Sequence, residues 1–302
     1  MSDFFHINSI SQVHDMFGLE KPLHPLITII KQWPKVDFDF GNYKITSDLY
    51  LLSMKPKMKG TTFQYGRNSY DFKEGTLVFL APNQVASFND PIEELDDSGW
   101  TILFHPDLIR KSELGKTIKD FSFFDYEANE ALHLSDKEKI SLIELVKKIE
   151  IEMSQNMDKY SQDLIIQNLE SILKYSNRYY DRQFYTRTNL NKDFSAQFIS
   201  YLDNYFSNKS LIEKGIPNIT QCGEALNMSG SYLSDMLKLE TGRSAKDHIH
   251  SFIIEKAKTS LLNSTTSVSE IAYNLGFEYP QHFSTLFKGK VGLTPSEYRV
   301  EN

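Results

Sequence analysis

Cysteine is nearly absent: the 302-residue chain has one, Cys222. A single thiol excludes an internal disulfide framework. Cys222 falls on the apolar side of a helical pattern, where a free cysteine packs as a small core residue. No run of 18 apolar residues occurs, so no membrane span is expected. The opening MSDFFHINSI has no charged n-region leading into a long apolar stretch, which argues against a signal peptide. These absences point to a reduced, cytoplasmic compartment. Histidine is missing from the whole segment between Lys35 and His105. A metal site on adjacent strands needs imidazole and carboxylate groups converging on one ion, so neither a metal nor another cofactor is expected. His105, next to Pro106, reads as a strand-end residue. There is no G-x-S-x-G elbow, P-loop, G-x-G-x-x-G or H-E-x-x-H run, and no enzyme is expected. Positive charge is also scarce. The net charge of −7 excludes a chain that coats nucleic acid non-specifically.

What is present begins with length. At 302 residues two domains are expected, and 40% apolar content supports real cores. The most informative stretch is SVSEIAYNLGFEYPQHFSTLFKGKVGLTPSEYR, from Ser267 to Arg299. Ser267 and Glu270 form a capping-box pattern before an apolar run. Ile271 and Leu275 repeat at helical spacing, and Gly276 can take the left-handed conformation that ends a helix. A second helix starts near Tyr279 and Pro280, with proline at its first position. Phe283, Leu286 and Phe287 give it an apolar face, while Gln281, His282, Thr285 and Lys288 fall on the other. Gly292 ends it, and Thr294-Pro295-Ser296-Glu297 starts another.

Fifty residues earlier a second unit reads ITQCGEALNMSGSYLSDMLKLETGRSAKDHIH. Ser229 is an N-cap. Tyr232, Leu233, Met236 and Leu237 form a buried face, with Ser231, Ser234, Asp235 and Lys238 outward. Gly242 ends that helix, and Ser244 with Asp247 starts a long one through Leu262. Two short helices joined by a tight turn, the second exposing amide, imidazole and hydroxyl groups, form a shape that enters the DNA major groove. Two such units can address adjacent major-groove segments, which lie about 34 Å apart on one face of the duplex.

On these residues the segment from about 195 to 300 resembles the DNA-binding domain of the AraC/XylS family of bacterial transcription regulators. The matching positions are Ser229, Tyr232, Leu233, Thr241-Gly242, Ala257, Leu261-Leu262, Ile271-Ala272, Leu275-Gly276-Phe277, Phe283, Phe287-Lys288, Gly292, Thr294-Pro295 and Tyr298-Arg299. The resemblance implies DNA contacts from Ser231, Ser234, Asp235 and Lys238 in the first unit, and from Gln281, His282, Thr285 and Lys288 in the second. It also implies double-stranded DNA as partner, contact with RNA polymerase, a homodimer, and a small-molecule effector bound by the amino-terminal part. Two departures stand out. Ile253 occupies a position where the family often has Arg. Cys222-Gly223 replaces a more usual Leu-Ala pair, and Gly223 costs about 1 kcal/mol of helix propensity. Residues 194–302 hold ten Lys plus Arg against eleven Asp plus Glu, so binding there depends on base contacts and local charge placement.

Residues 35–110 have a different pattern. Short aromatic and β-branched runs, Val36–Tyr43, Leu49–Met54, Thr61–Tyr65, Thr76–Leu80 and Trp100–Phe104, alternate with turns. The run from Glu74 to Asn83 resembles a strand pair of a cupin-type jelly roll. Phe63, Tyr65, Tyr70, Phe72, Phe79 and Phe88 either line a ligand cavity or fill the core, and Arg67 either meets an anionic ligand or is solvated. From Ser135 to about Tyr180 the period becomes helical, with Ile140, Ile143, Val146, Ile149 and Met153, then Leu164, Ile165, Leu169, Ile172 and Leu173. This pair either packs on the β domain or pairs with a second chain.

The expected class is therefore α+β and multidomain. Residues 1–134 form a cupin-like β jelly roll with an ambiguous extension over 1–34, 135–180 a dimerising helical pair, and 181–193 a linker. Residues 194–302 form an all-α domain with helix-turn-helix units at about 219–239 and 267–289. The functions expected are a sequence-specific DNA-binding transcription regulator or, alternatively, a ligand-binding or protein-interaction module with weak or lost DNA binding. A metal-free cupin enzyme is a third reading, resting on the β region alone.

Overall fold

A computed structural model of the chain describes residues 3–32, 43–55, 63–65, 68–70, 75–84, 86–87, 99–127, 130–156, 158–190, 194–207 and 215–301. The chain divides into two compact units, Met1–Gln183 and Phe184–Asn302.

The first unit mixes sheet and helix. Its strands are β1 (Asp3–Ile7), β2 (Ile27–Ile30), β3 (Tyr43–Ser47), β4 (Tyr50–Lys55), β5 (Phe63–Tyr65), β6 (Asn68–Tyr70), β7 (Thr76–Leu80), β8 (Ala86–Ser87), β9 (Trp100–Phe104) and β10 (Leu132–His133). Five form a sheet in the order β10-β7-β4-β9-β2, antiparallel at each pairing. Register stacks the apolar residues in rows: Leu52 lies between Phe79 and Ile102, and Met54 between Leu77 and Trp100. All six are buried, as period-two patterning on one sheet face requires. A second sheet runs β1-β3-β8, with β1 parallel to β3, and β5 pairs with β6 as a hairpin.

The ambiguous amino-terminal segment is ordered by its own caps. Helix α1 (Ile10–Phe17) starts on Ser9, whose hydroxyl accepts from Gln12 N, and ends on left-handed Gly18. It buries Ile10, Val13 and Phe17 against Ile7, Ile30, Ile45, Leu49 and Leu103. His105 lies at the end of β9, where its Nδ1 accepts from Asp107 N at the start of a 3-10 turn. Phe79, a candidate cavity residue, is core instead. Its ring packs 4.3 Å from Phe123 and 5.7 Å from Phe124. The expected strand over 36–42 lies outside the described residues, as do Arg67, Phe72 and Phe88 and the side chains of Phe63, Tyr65 and Tyr70.

After a short helix α2 (Glu113–Thr117), two long helices follow, α3 (Asp136–Ser154) and α4 (Ser161–Leu190). Ser135 and Glu138 make the complete capping box at the start of α3. The buried stripe of α3 is Leu142, Val146, Ile149 and Met153, and Ile140 is 58% exposed. The expected stripe was therefore one position out at its first turn. Helix α4 buries Ile165, Ile166, Leu169, Ile172 and Leu173, whereas Leu164 is exposed. The polar stretch expected as a linker is helical as far as Leu190. Residues 181–190 contain neither Gly nor Pro, so nothing in them ends the helix. Arg182 donates to Glu138 and to His133 O, and Gln183 accepts from His133 N, which anchors that end of the first unit.

The second unit is helical: α5 (Phe194–Ser207), α6 (Ile219–Ala225), α7 (Gly230–Thr241), α8 (Ala245–Asn263), α9 (Val268–Asn274), α10 (Pro280–Val291) and α11 (Pro295–Glu301). Phe198 and Leu202 of α5 are buried. Tyr201 and Tyr205 are half-buried, and the Tyr205 hydroxyl donates to Gly215 O at 3.0 Å. Helix α8 contributes Ile249, Ile253, Ile254, Ala257 and Leu261 to the core. Arg299 of α11 closes the unit. Its guanidinium donates to Leu261 O at 3.0 Å and to Thr266 O at 2.7 Å, satisfying carbonyls at the end of α8 and just beyond it.

No helix among the described residues is long and apolar enough to cross a membrane.

Candidate nucleic-acid interface

The first helix pair is α6 and α7. Asn218 caps α6 in a reciprocal box with Gln221. The turn then closes on one carbonyl: Leu226 N and Met228 N both donate to Gly223 O, at 2.9 and 3.0 Å. Asn227 takes a left-handed conformation, φ 59°, which asparagine tolerates. A Cβ on residue 223 would stand 2.5 Å from Met228 O and 2.9 Å from Gly230 N. The glycine is thus a requirement of the turn, and its lost helix propensity is the lesser cost. Cys222 beside it is fully buried, and burial pushes its thiol up to about 11.

Helix α7 starts on Ser229, whose hydroxyl accepts from Tyr232 N, and ends on left-handed Gly242. Its buried face is Tyr232, Leu233, Met236 and Leu237. Tyr232 packs edge-on to Phe184, centroids 4.9 Å apart. The opposite face carries Ser231, Ser234 and Asp235, half-exposed, and Lys238, exposed.

The second pair, α9 and α10, repeats this plan. Ser267 accepts from Glu270 N, forming one half of the expected capping box. Leu275 N and Phe277 N donate to Ala272 O at 3.2 and 3.0 Å, so Ala272 stands where Gly223 stands in the first turn. Gly276 has φ 86°. A Cβ there would approach Gly215 C and Ile216 N at 3.0 and 3.1 Å. This turn has five residues between its helices against four in the first. Pro280 opens α10, and left-handed Gly292 ends it. Phe283 and Phe287 are fully buried, packed on Phe277 and Tyr298 with centroids 5.5 Å apart in each pair. Gln281, His282, Thr285 and Lys288 are exposed together on the other face. The Thr285 hydroxyl donates to Gln281 O at 2.9 Å and keeps its lone pairs free to accept.

Charge is placed unevenly. Lys256 pairs with Asp203, Lys258 with Glu255 and Lys290 with Asp247, at 3.4, 2.8 and 3.1 Å. Lys238, Lys246 and Lys288 make no ion pair among the described residues. Arg243 is held by Asp247 O and Ser251 Oγ at the start of α8. Burial, with Lys246 and Lys290 nearby, holds His250 below its ordinary range. Ile253, where the resemblance suggested Arg, is fully buried and serves the core. Sequence patterning did not single out Arg243 or Tyr279 for this surface. Tyr279 directly before Pro280 was the one local signal of an unusual helix start. Among the described residues no cluster of three or more His, Cys, Asp or Glu could hold a metal ion.

Residues 222–301 match the model of a family described as "Helix-turn-helix domain". The matched segment runs from within α6 to the end of α11. The chain is 36% identical over 89 residues to the xylose operon regulatory protein of Escherichia coli K12, a match covering 30% of this chain and 22% of that protein. It is 38% identical over 92 residues to an uncharacterized transcriptional regulatory protein, YesN, of Bacillus subtilis strain 168, covering 29% of this chain and 25% of that one. The chain thus spans about a quarter of the length of these relatives. Among solved structures it is similar to the carboxy-terminal domain of a two-component response regulator, yesN, from Fusobacterium nucleatum. That likeness has 34% identity and a TM-score of 0.27, and covers 30% of this chain and 92% of that one.

Proposed function

We propose that this protein is a sequence-specific DNA-binding transcriptional regulator of the AraC/XylS type, working in the cytoplasm. One observation carries the reading. Two helices, α7 and α10, each bury an apolar face in their own helix pair and turn a polar face outward. A helix so presented fits the major groove, about 12 Å wide. In α7, Ser231, Ser234 and Asp235 are the groups for base edges, with Lys238 for phosphate. In α10, Gln281, His282 and Thr285 are the base readers and Lys288 the phosphate contact. A bidentate Gln fits adenine, and a carboxylate such as Asp235 can accept from a cytosine amino group. The matched relatives are named as an operon regulatory protein and a transcriptional regulatory protein, which supports the same reading.

In this reading the first unit is a cupin-like sensory domain that binds a small-molecule effector, and α3 with α4 joins two copies. Exposed apolar side chains on those helices, Ile140, Ile151 and Leu164, support the pairing. Contact with RNA polymerase belongs to the same proposal. The test is selection of bound sequences from a random duplex pool by the full chain at near-physiological salt. An enriched motif establishes the reader. Replacing Gln281 or His282 by Ala then reduces base discrimination by about 1–3 kcal/mol each, and unchanged discrimination in both would sink the residue assignment.

A second reading, an interaction module with lost DNA binding, has one observation in its favour. Three of the six lysines near the helix pairs are tied to carboxylates. No enrichment from the pool, with or without candidate effectors, would favour it.

A further inference from the structure

The second reading helix begins on an aromatic residue instead of a hydroxyl cap. Tyr279 is the N-cap of α10, and its side chain makes no bond to the first amides of the helix. It is 48% exposed. The Glu278 carboxylate beside its hydroxyl holds the phenol above its ordinary range. Its ring lies edge-on to the imidazole of His282, with centroids 5.5 Å apart and planes at 68°. The backbone ties the same pair together, since His282 N donates to Tyr279 O at 3.0 Å.

His282 is exposed, and its ring nitrogens make no hydrogen bond among the described residues. An exposed histidine with no neighbour samples several rotamers. Here the ring of Tyr279 limits the ring of His282. A side chain already confined loses less freedom when it meets a partner. Both nitrogens stay available, one as donor and one as acceptor in the neutral ring.

Resting on the reading of α10 as a DNA-reading helix, we propose that Tyr279 is a positioning residue that holds the His282 imidazole for one base contact in the major groove. The contact fits a guanine, whose N7 and O6 both accept. Tyr279 acts through its ring.

The experiment uses the full chain and the duplex it selects, with every base pair of that site substituted in turn. Tyr279→Ala, Tyr279→Phe, His282→Ala and the Tyr279→Ala/His282→Ala double variant are compared with the parent. An aromatic pair is worth about 2- to 12-fold in an equilibrium. Tyr279→Ala should lower discrimination by that factor at the one base pair that His282→Ala flattens, and nowhere else. Tyr279→Phe keeps the ring and should keep most of the discrimination, which protects the test if the Ala variant folds poorly. In the His282→Ala background, Tyr279→Ala should change nothing further at that base pair. A parent chain without base preference would overturn the DNA-reading assignment itself. A flattened position in His282→Ala that stays intact in Tyr279→Ala would overturn the positioning role alone. An equal loss on every sequence in Tyr279→Ala would also overturn it, by making Tyr279 a support of the fold.

Discussion

Gly223→Ala and Gly289→Ala make the same chemical change in two helices and should act in opposite directions. Alanine is favoured over glycine in a helix by about 1 kcal/mol. At Gly289, inside α10, an added Cβ meets nothing within 4 Å, so that gain should appear in full. At Gly223 the Cβ meets three backbone atoms within 3 Å, in Met228, Ser229 and Gly230. Backbone cannot swing aside like a side-chain tip, so the turn must open. Overpacking of this kind costs about 1–3 kcal/mol. Opening also weakens the bonds from Leu226 N and Met228 N to Gly223 O, each worth about 0.5–1.5 kcal/mol. After subtracting the propensity gain, Gly223→Ala should destabilise by roughly 1–5 kcal/mol. At about 4 °C per kcal/mol that lowers Tm by roughly 4–20 °C. Thermal and urea unfolding of the full chain, followed at 222 nm, measures both variants. A Gly223→Ala protein as stable as its parent would refute the turn geometry, whatever Gly289→Ala does.

Arg299→Met should destabilise by about 1–3 kcal/mol, because Leu261 O at the end of α8 and Thr266 O just beyond it lose a charged donor; urea midpoints measure it. Burial holds His24 and His248 below their ordinary value of 6.5 in the folded chain. The unfolded chain therefore binds protons that the folded one refuses, and stability should fall as pH drops below about 6.5. His24→Asn and His248→Gln should flatten that slope in urea titrations across pH 5–7, and an unchanged slope in both would count against it. Lys288→Ala should weaken binding to all duplexes alike and reduce the salt slope of log K by about 1. Affinity titrations over a range of salt show this, and a change confined to one base pair would make Lys288 a base reader.

The helix pairs were legible in the sequence because their signals are local. Ser229, Ser244 and Ser267 cap within three residues, and Gly242 and Gly292 end helices within one residue and Gly276 within two. The split of α7 and α10 into buried and polar faces follows from spacing of three and four. What was missed depends on residues brought together by the fold. Gly223 looked like a propensity defect because its constraint, Met228 O, lies across a turn. In α3 apolar residues at 140, 142, 143, 145, 146 and 149 allow more than one stripe, and only packing selects Leu142 over Ile140. Phe79 was open in the sequence between cavity and core, and Phe123 and Phe124 decide for core by returning to it from a 3-10 turn more than forty residues later. The parallel pairing of β1 with β3 joins segments separated by forty residues, and no local pattern announces it.

The central claim is that α7 and α10 read two major-groove segments together. Methylation interference tests it most directly, because the methyl group sits on guanine N7 in the major groove. With the full chain on its selected duplex, two blocks of interference should appear about one helical turn, roughly 10 base pairs, apart on one face. Gln281→Ala and His282→Ala should erase one block and spare the other. A single block, or interference independent of these side chains, would contradict the account.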